Sequence, residues 1–115
     1  MTLDPNCIFC KIIEGKIPTE IVFRNENVLA FNDLNPQAPT HVLIIPTLHA
    51  ANAAEISSTS PTIIAAMHRA ADEIALDRGL TGYRSVFNTG ADAGQSVFHA
   101  HLHLLGGRGL AWPPG

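Results

Sequence analysis

Basic residues are scarce in this sequence: seven Lys and Arg stand against ten Asp and Glu, for a formal net charge of −3, and they nowhere form a run. A protein that grips duplex nucleic acid needs several cations to displace phosphate counterions, so nucleic acid is not the expected partner. A single nucleotide stays open, because one or two phosphates can be held by backbone N–H groups, hydroxyls and imidazoles. Long apolar runs are missing too. None approaches the ~20 residues of a membrane span, so no membrane partner is expected. Met1 to Cys7 lack the basic and apolar regions of a secretory signal, which makes the cytoplasm the expected location. Cysteine is limited to Cys7 and Cys10, one Cys-x-x-Cys. With thiols kept reduced, this reads as a metal or redox pair rather than a structural disulfide, and buried free thiols are the third reading.

What is present points to a packed fold. At 46% hydrophobic and 15% charged residues, the chain lies well above the disordered range. Its 115 residues fit one domain spanning 1–115. Asn6 to Ile13 reads as a short helix ended near Gly15. Ile21 to Arg24 and Val28 to Phe31 read as strands joined by the polar turn Asn25-Glu26-Asn27. His41 to Ile45 is a continuous apolar run stopped by Pro46, as suits a strand buried on both faces. A long helix begins at Ser60-Pro61, with serine as cap and proline in the first helical position, and ends at Gly79. Arg84 to Asn88 and His99 to Leu105 read as further strands. The expected fold class is α+β, an antiparallel sheet of about five strands with one long helix and a short N-terminal helix.

Within Gln95 to Leu105, apolar and polar residues alternate from Phe98 to Leu104. On a strand His99, His101 and His103 share one face while Ala100, Leu102 and Leu104 enter the core. Same-face neighbours lie ~6.7 Å apart, which puts roughly 13 Å between His99 and His103. One ion with ~2.0 Å bonds to nitrogen does not easily take all three from a straight strand, so they should hold different jobs. Three histidines merely lining a solvated face would be the bland alternative.

His99-Ala-His-Leu-His-Leu-Leu105 resembles the signature of the histidine-triad (HIT) family. Gly94-Gln95-Ser96-Val97 before it and Gly106-Gly107-Arg108 after it are similar to the Hint branch. So are Cys7 to Ile13, Phe31-Asn32-Asp33, Pro36 to His41, and the terminal Trp112-Pro113-Pro114-Gly115. The resemblance implies hydrolysis of the P–N bond of purine nucleoside 5′-phosphoramidates. In such enzymes the middle histidine, here His101, attacks the α-phosphorus and forms a nucleotidyl-imidazole that water then cleaves. Imidazole suits this role: near neutral pH it carries a free lone pair, and it also leaves well.

By the same resemblance His103, Asn88 and Gln95 donate to phosphate oxygens, and Ser96 assists the leaving group. Asp33 accepts the ribose hydroxyls. Ile8, Phe9, Ile12, Phe31 and Leu34 form the slot for the base, and His41 supports the nucleophile from behind. The alternative readings are turn residues for Asn88 and Gln95, a strand-edge hydroxyl for Ser96 and a loop residue for Asp33, while the apolar set, read without the resemblance, is core. The resemblance further implies a structural zinc held by Cys7, Cys10, His49 and His99, and a homodimer packed through the long helix and the tail. His68 reads as a solvated or interface histidine. Ala111 departs from the pattern, since many relatives carry a histidine before the tryptophan. The same nucleophile also serves dinucleoside polyphosphate hydrolases and nucleotidyl transferases, and a zinc- or nucleotide-binding module without turnover is the non-enzymatic alternative.

Overall fold

The computed structural model describes residues 3–115. Helix α1 (Ile8–Ile13) precedes strands β1 (Ile21–Arg24), β2 (Val28–Asn32) and β3 (Thr40–Pro46). Helices α2 (Ala53–Thr59) and α3 (Pro61–Asp77) follow, then β4 (Tyr83–Phe87), a 3-10 turn at Ala91–Ala93 and β5 (Leu102–Gly106). The five strands form one sheet in the order β1-β2-β3-β5-β4, and every pair is antiparallel. This is the α+β class read from the sequence.

Local chemistry explains the corners. Asn25 Oδ1 accepts the N–H groups of both Asn27 and Val28 at 2.9 Å, an Asx turn that closes the β1–β2 hairpin. Gly79 adopts φ +68°, and the bonds Gly79 N–H to Leu76 O and Leu80 N–H to Ala75 O end α3 in a Schellman motif. Pro61 does occupy the first helical position, but the Ser60 side chain makes no cap bond. Ser60 also terminates α2, where its N–H goes to the Ile56 carbonyl, and that corner takes its backbone out of capping geometry.

Central strand β3 is buried at every position because both faces of the sheet are covered. Val42 and Ile44 join Val28, Ala30, Leu102 and Leu104 under Met67, Ala71 and Ile74 of α3. Leu43 and Ile45 join Leu29 and Phe31 on the opposite face, under Phe9 and Ile12 of α1. Residues directly opposite in a ladder share a face, so Leu43↔His103 and His41↔Leu105 put both histidines on the α1 side.

Two sequence expectations are corrected. Strand β5 begins at Leu102 rather than His99, because the preceding backbone is engaged elsewhere: Ala100 N–H bonds the Ala50 carbonyl at 2.8 Å, and the His99 carbonyl is taken by a side chain. The triad therefore straddles a bend and the start of a strand. Helix α2 was not expected. It is capped by Asn52, whose Oδ1 accepts Glu55 N–H at 2.9 Å.

Candidate active site and metal centre

Cys7 caps α1, and its Sγ accepts the Cys10 N–H at 3.4 Å. The capping geometry turns both sulfurs towards the loop that follows β3 and the bend that precedes β5. There His49 Nδ1 lies 3.3 Å from Cys10 Sγ, and His99 Nδ1 lies 3.5 Å from Cys7 Sγ and 3.4 Å from Cys10 Sγ. All four ligand atoms lie within 4.8 Å of one another. Zinc bonds of ~2.3 Å to sulfur and ~2.0 Å to nitrogen at tetrahedral angles give an S···N edge of roughly 3.5 Å, so these spacings are those of a tetrahedral cage.

The surroundings fit the same ion. His99 Nε2–H donates to the Pro46 carbonyl at 3.1 Å, which leaves its Nδ1 lone pair facing the sulfurs, the usual outer support of a ligating histidine. Burial pushes the His99 pKa down to about 4, against the opposing pull of the Pro46 carbonyl. The ring is then neutral, as a ligand must be. Burial pushes the Cys10 thiol up to about 11, so a divalent cation here would displace a thiol proton.

His101 lies in the bend, two residues past His99. Its Nδ1–H donates to the His99 carbonyl at 2.8 Å. A carbonyl only accepts, so Nδ1 carries the proton and Nε2 keeps its lone pair. The Phe9 ring stands edge-on to His101 with centroids 5.1 Å apart.

The donor–acceptor chain beside it fixes the other protons. Gln37 backbone N–H donates to His41 Nδ1 at 3.0 Å, which leaves the His41 proton on Nε2. That nitrogen lies 2.9 Å from His103 Nδ1, so His103 carries its own proton on Nε2. Among the described residues, that buried Nε2 has no hydrogen-bond partner. A buried donor without a partner costs about 1–3 kcal/mol, a cost an incoming oxygen would remove. Asp33 Oδ2 lies 3.4 Å from His41 Nε2. Although Asp33, His41 and His103 are close enough to share an ion, the Gln37 N–H occupies the lone pair His41 would need. The group reads as a hydrogen-bond chain instead.

Burial is also the main cause that lowers His41, against Asp33. It pushes His103 down to about 4, with His101 and His41 adding to the effect. For His103 the folded pKa lies below the unfolded value of ~6.5. The unfolded chain therefore binds the extra proton first on acidification, and the stability contribution, complete above pH ~6.5, is lost as pH falls towards 4. The urea midpoint is expected to drop across that window, and less steeply in His103→Gln. Parallel curves for the two proteins would contradict this.

The other expected site residues divide. Ser96 is exposed beside a cleft of about 460 Å³ that it shares with Asn6, Ile8, His49 and Phe98. Asn88 is half-buried one residue beyond β4, not inside the strand as expected. Phe9, Ile12 and Phe31 are buried in the second core, while Ile8 is half exposed. Leu34 is fully exposed and does not join them: it sits in the turn where Asp33 Oδ1 accepts the Asn35 N–H, which points it away from the sheet. Gln95 is buried with its amide fully used. Its Oε1 accepts Gly90 N–H, and its Nε2 donates to the carbonyls of Ala51 at 2.6 Å and Val97 at 3.1 Å. It braces the bend and has no donor left for phosphate. Gln37 was missed, since it acts through its main chain and leaves no mark in the side-chain pattern.

Fold and site together put a row of histidines and a Cys/His cage on the α1 side of an antiparallel α+β sheet. The family profile described as "Scavenger mRNA decapping enzyme C-term binding" matches residues 6–109. A "14 kDa zinc-binding protein" of Zea mays is 46% identical over 115 residues, covering 97% of this chain and 90% of that protein. A "Purine nucleoside phosphoramidase" of Escherichia coli strain K12 is 44% identical over 105 residues, 90% of this chain and 88% of that one. The crystal structure of a HIT family hydrolase from Legionella pneumophila Philadelphia 1 superposes with a TM-score of 0.91 at 49% identity, covering 96% of this chain and all of that one. The chain belongs to the HIT family and is one of its hydrolases.

Proposed function

We propose that this hydrolase cleaves the P–N bond of purine nucleoside 5′-phosphoramidates through a covalent nucleotidyl-His101 intermediate. One observation carries the reading: a free lone pair on His101 stands beside an unpartnered N–H on His103, with ring centroids 5.0 Å apart. In the first step the His101 Nε2 pair forms a bond to the α-phosphorus, the P–N bond breaks, and the amine leaves with a proton drawn from solvent. In the second, water attacks phosphorus and gives up a proton to solvent, the P–Nε2 bond breaks, and the nucleoside monophosphate departs with His101 restored. His103 Nε2–H donates to a non-bridging oxygen throughout, a contact that strengthens as charge develops there. Neutral imidazoles also avoid repelling the phosphate, as a carboxylate would not.

Asn88 adds a second phosphate donor, Ser96 assists the departing amine, and Asp33 accepts the ribose hydroxyls. Phe9, Ile8, Ile12 and Phe31 form the apolar side on which the base rests. Cys7, Cys10, His49 and His99 hold a structural zinc whose chemistry is to tie α1 to the bend. The substrate is a single nucleotide, not a nucleic acid, and no membrane is involved. Among the described residues no helix is long and apolar enough to cross one, and the reading places the enzyme in the cytoplasm. The working form is a homodimer: β4 is an edge strand, and Leu76, Tyr83 and Trp112 leave apolar surface exposed, so light scattering should return twice the chain mass.

Trapping tests the chemistry. Acid quench during turnover of adenosine 5′-phosphoramidate should leave a nucleotide-sized mass increase on the peptide that carries His101. The kcat/KM for this substrate should exceed that for a diadenosine polyphosphate, and the reverse order would move the assignment to the polyphosphate hydrolases.

A further inference from the structure

The motif Gly106-Gly107-Arg108 has no part in the chemistry above, yet each of its residues is placed by a definite contact. A Cβ on Gly106 would lie 2.7 Å from Leu80 Cδ1. Gly107 has φ +90°, and a Cβ there would lie 2.9 Å from the Pro39 ring. At position 107 the positive φ and the Pro39 ring together call for glycine, which lets the exit of β5 lie this close to the loop before β3. Directly beyond, the Arg108 guanidinium closes on that loop: Nη2 at 2.9 Å and Nε at 3.3 Å both donate to the Gln37 carbonyl, and Nη1 donates to Gly109 O at 2.8 Å.

Gln37 is the residue whose backbone N–H meets His41 Nδ1. Its other restraint is a side-chain bond, Nε2 to Asn35 O at 3.0 Å, within an exposed turn. We infer that Arg108 is a positioning residue for the hydrogen-bond chain: by holding the Gln37 carbonyl it holds the Gln37 N–H on His41, and so decides which nitrogen of His103 presents a proton. The imidazole chain is bistable. If the Gln37 donor swings away, His41 can carry its proton on Nδ1 and accept at Nε2, His103 then donates backwards from Nδ1, and its outward nitrogen becomes an acceptor facing an anion.

The consequence for turnover rests on the function proposed above, whereas the consequence for the tautomer does not. Long-range ¹H–¹⁵N spectra of the histidine side chains read the tautomer directly. In Arg108→Ala the His41 Nδ1 and Nε2 resonances should move from separate values towards one another, and kcat for adenosine 5′-phosphoramidate should fall about tenfold, the scale of one charge-assisted hydrogen bond, with KM within twofold. Arg108→Lys keeps a donor at the carbonyl, and its spectrum should lie closer to that of the parent. His41 resonances unchanged in Arg108→Ala would overturn the inference whatever the activity does, as would an Arg108→Lys spectrum no nearer the parent than that of the alanine variant. If the parent protein does not cleave phosphoramidates, the proposed function fails while the spectra still decide the role of Arg108.

Discussion

His101→Ala is expected to lower kcat/KM for adenosine 5′-phosphoramidate by about four orders of magnitude or more, the scale seen when a covalent nucleophile is removed. No neighbour can take over. His99 has its Nδ1 turned to the two sulfurs and its Nε2–H committed to Pro46. His103 receives the His41 proton at Nδ1 and presents a proton at Nε2. His41 has one nitrogen under the Gln37 N–H and the other against His103. Each of these three rings lacks an outward lone pair, whereas His101 keeps one. Because that lone pair offers nothing to a bound phosphate oxygen, the affinity for a nucleoside monophosphate should change less than about threefold by calorimetry. His103→Ala should behave differently. The nucleophile stays while a donor aimed at developing charge is lost, and kcat should fall about 10²–10³-fold. A His101→Ala protein that turns over at the parent rate would remove His101 from the chemistry.

The contrast among these histidines shows how far the sequence could be read. Alternation from Phe98 to Leu104 separates Leu102 and Leu104, which enter the core under α3, from His103, which faces α1. The spacing argument that three histidines cannot share one ion assumed a straight strand from His99, which the chain does not form. His99 is set apart because the chain bends before Leu102, not because a strand carries it 13 Å away. The apolar run His41 to Ile45 was legible as a doubly buried strand because periodicity disappears when both faces are covered.

Where the reading failed, the deciding contacts lay outside the local pattern. Helix α2 is short and ends in Ser57, Ser58 and Thr59, whose hydroxyls bond back to preceding carbonyls. Such residues favour turns in isolation, and the helix forms because Ile56 is buried against the core. Its one sequence signal was Asn52 with Glu55 three residues on, the spacing of a capping box. Gln95 looked like a phosphate donor until three backbone partners claimed its amide. Leu34 looked apolar enough for the base slot, but the Asp33–Asn35 turn orients it outwards. Gln37 and Arg108 act on a backbone amide and a carbonyl, contacts that depend on tertiary placement and leave no periodicity to find.

The second large effect concerns the cage. Protein purified without added metal should carry about one zinc per chain, and its removal by a strong chelator should lower Tm by more than about 10 °C, since a closed site's binding energy is folding energy. A drop of that size corresponds to roughly 3 kcal/mol for a domain of this length. Substituting a ligand alone would not separate metal from packing, because Cys10 is fully buried and Cys10→Ser places an extra polar group there whether or not an ion is present. The comparison that separates them is chelator against variant. If a metal is the source, the chelator lowers the Tm of the parent and leaves Cys10→Ser where it already was, because the variant has lost the ion. If packing is the source, Cys10→Ser melts early while the chelator moves neither protein. In the metal case the loss should concentrate in α1 and the bend, where Phe9 lies against the rings of both His99 and His101. Hydrogen exchange should rise at Cys10 to Ile13 and Ala100 while β2 and β3, packed between two cores, stay protected. Uniform loss of protection across the sheet would mean the ion supports the whole fold instead of fastening this corner to it.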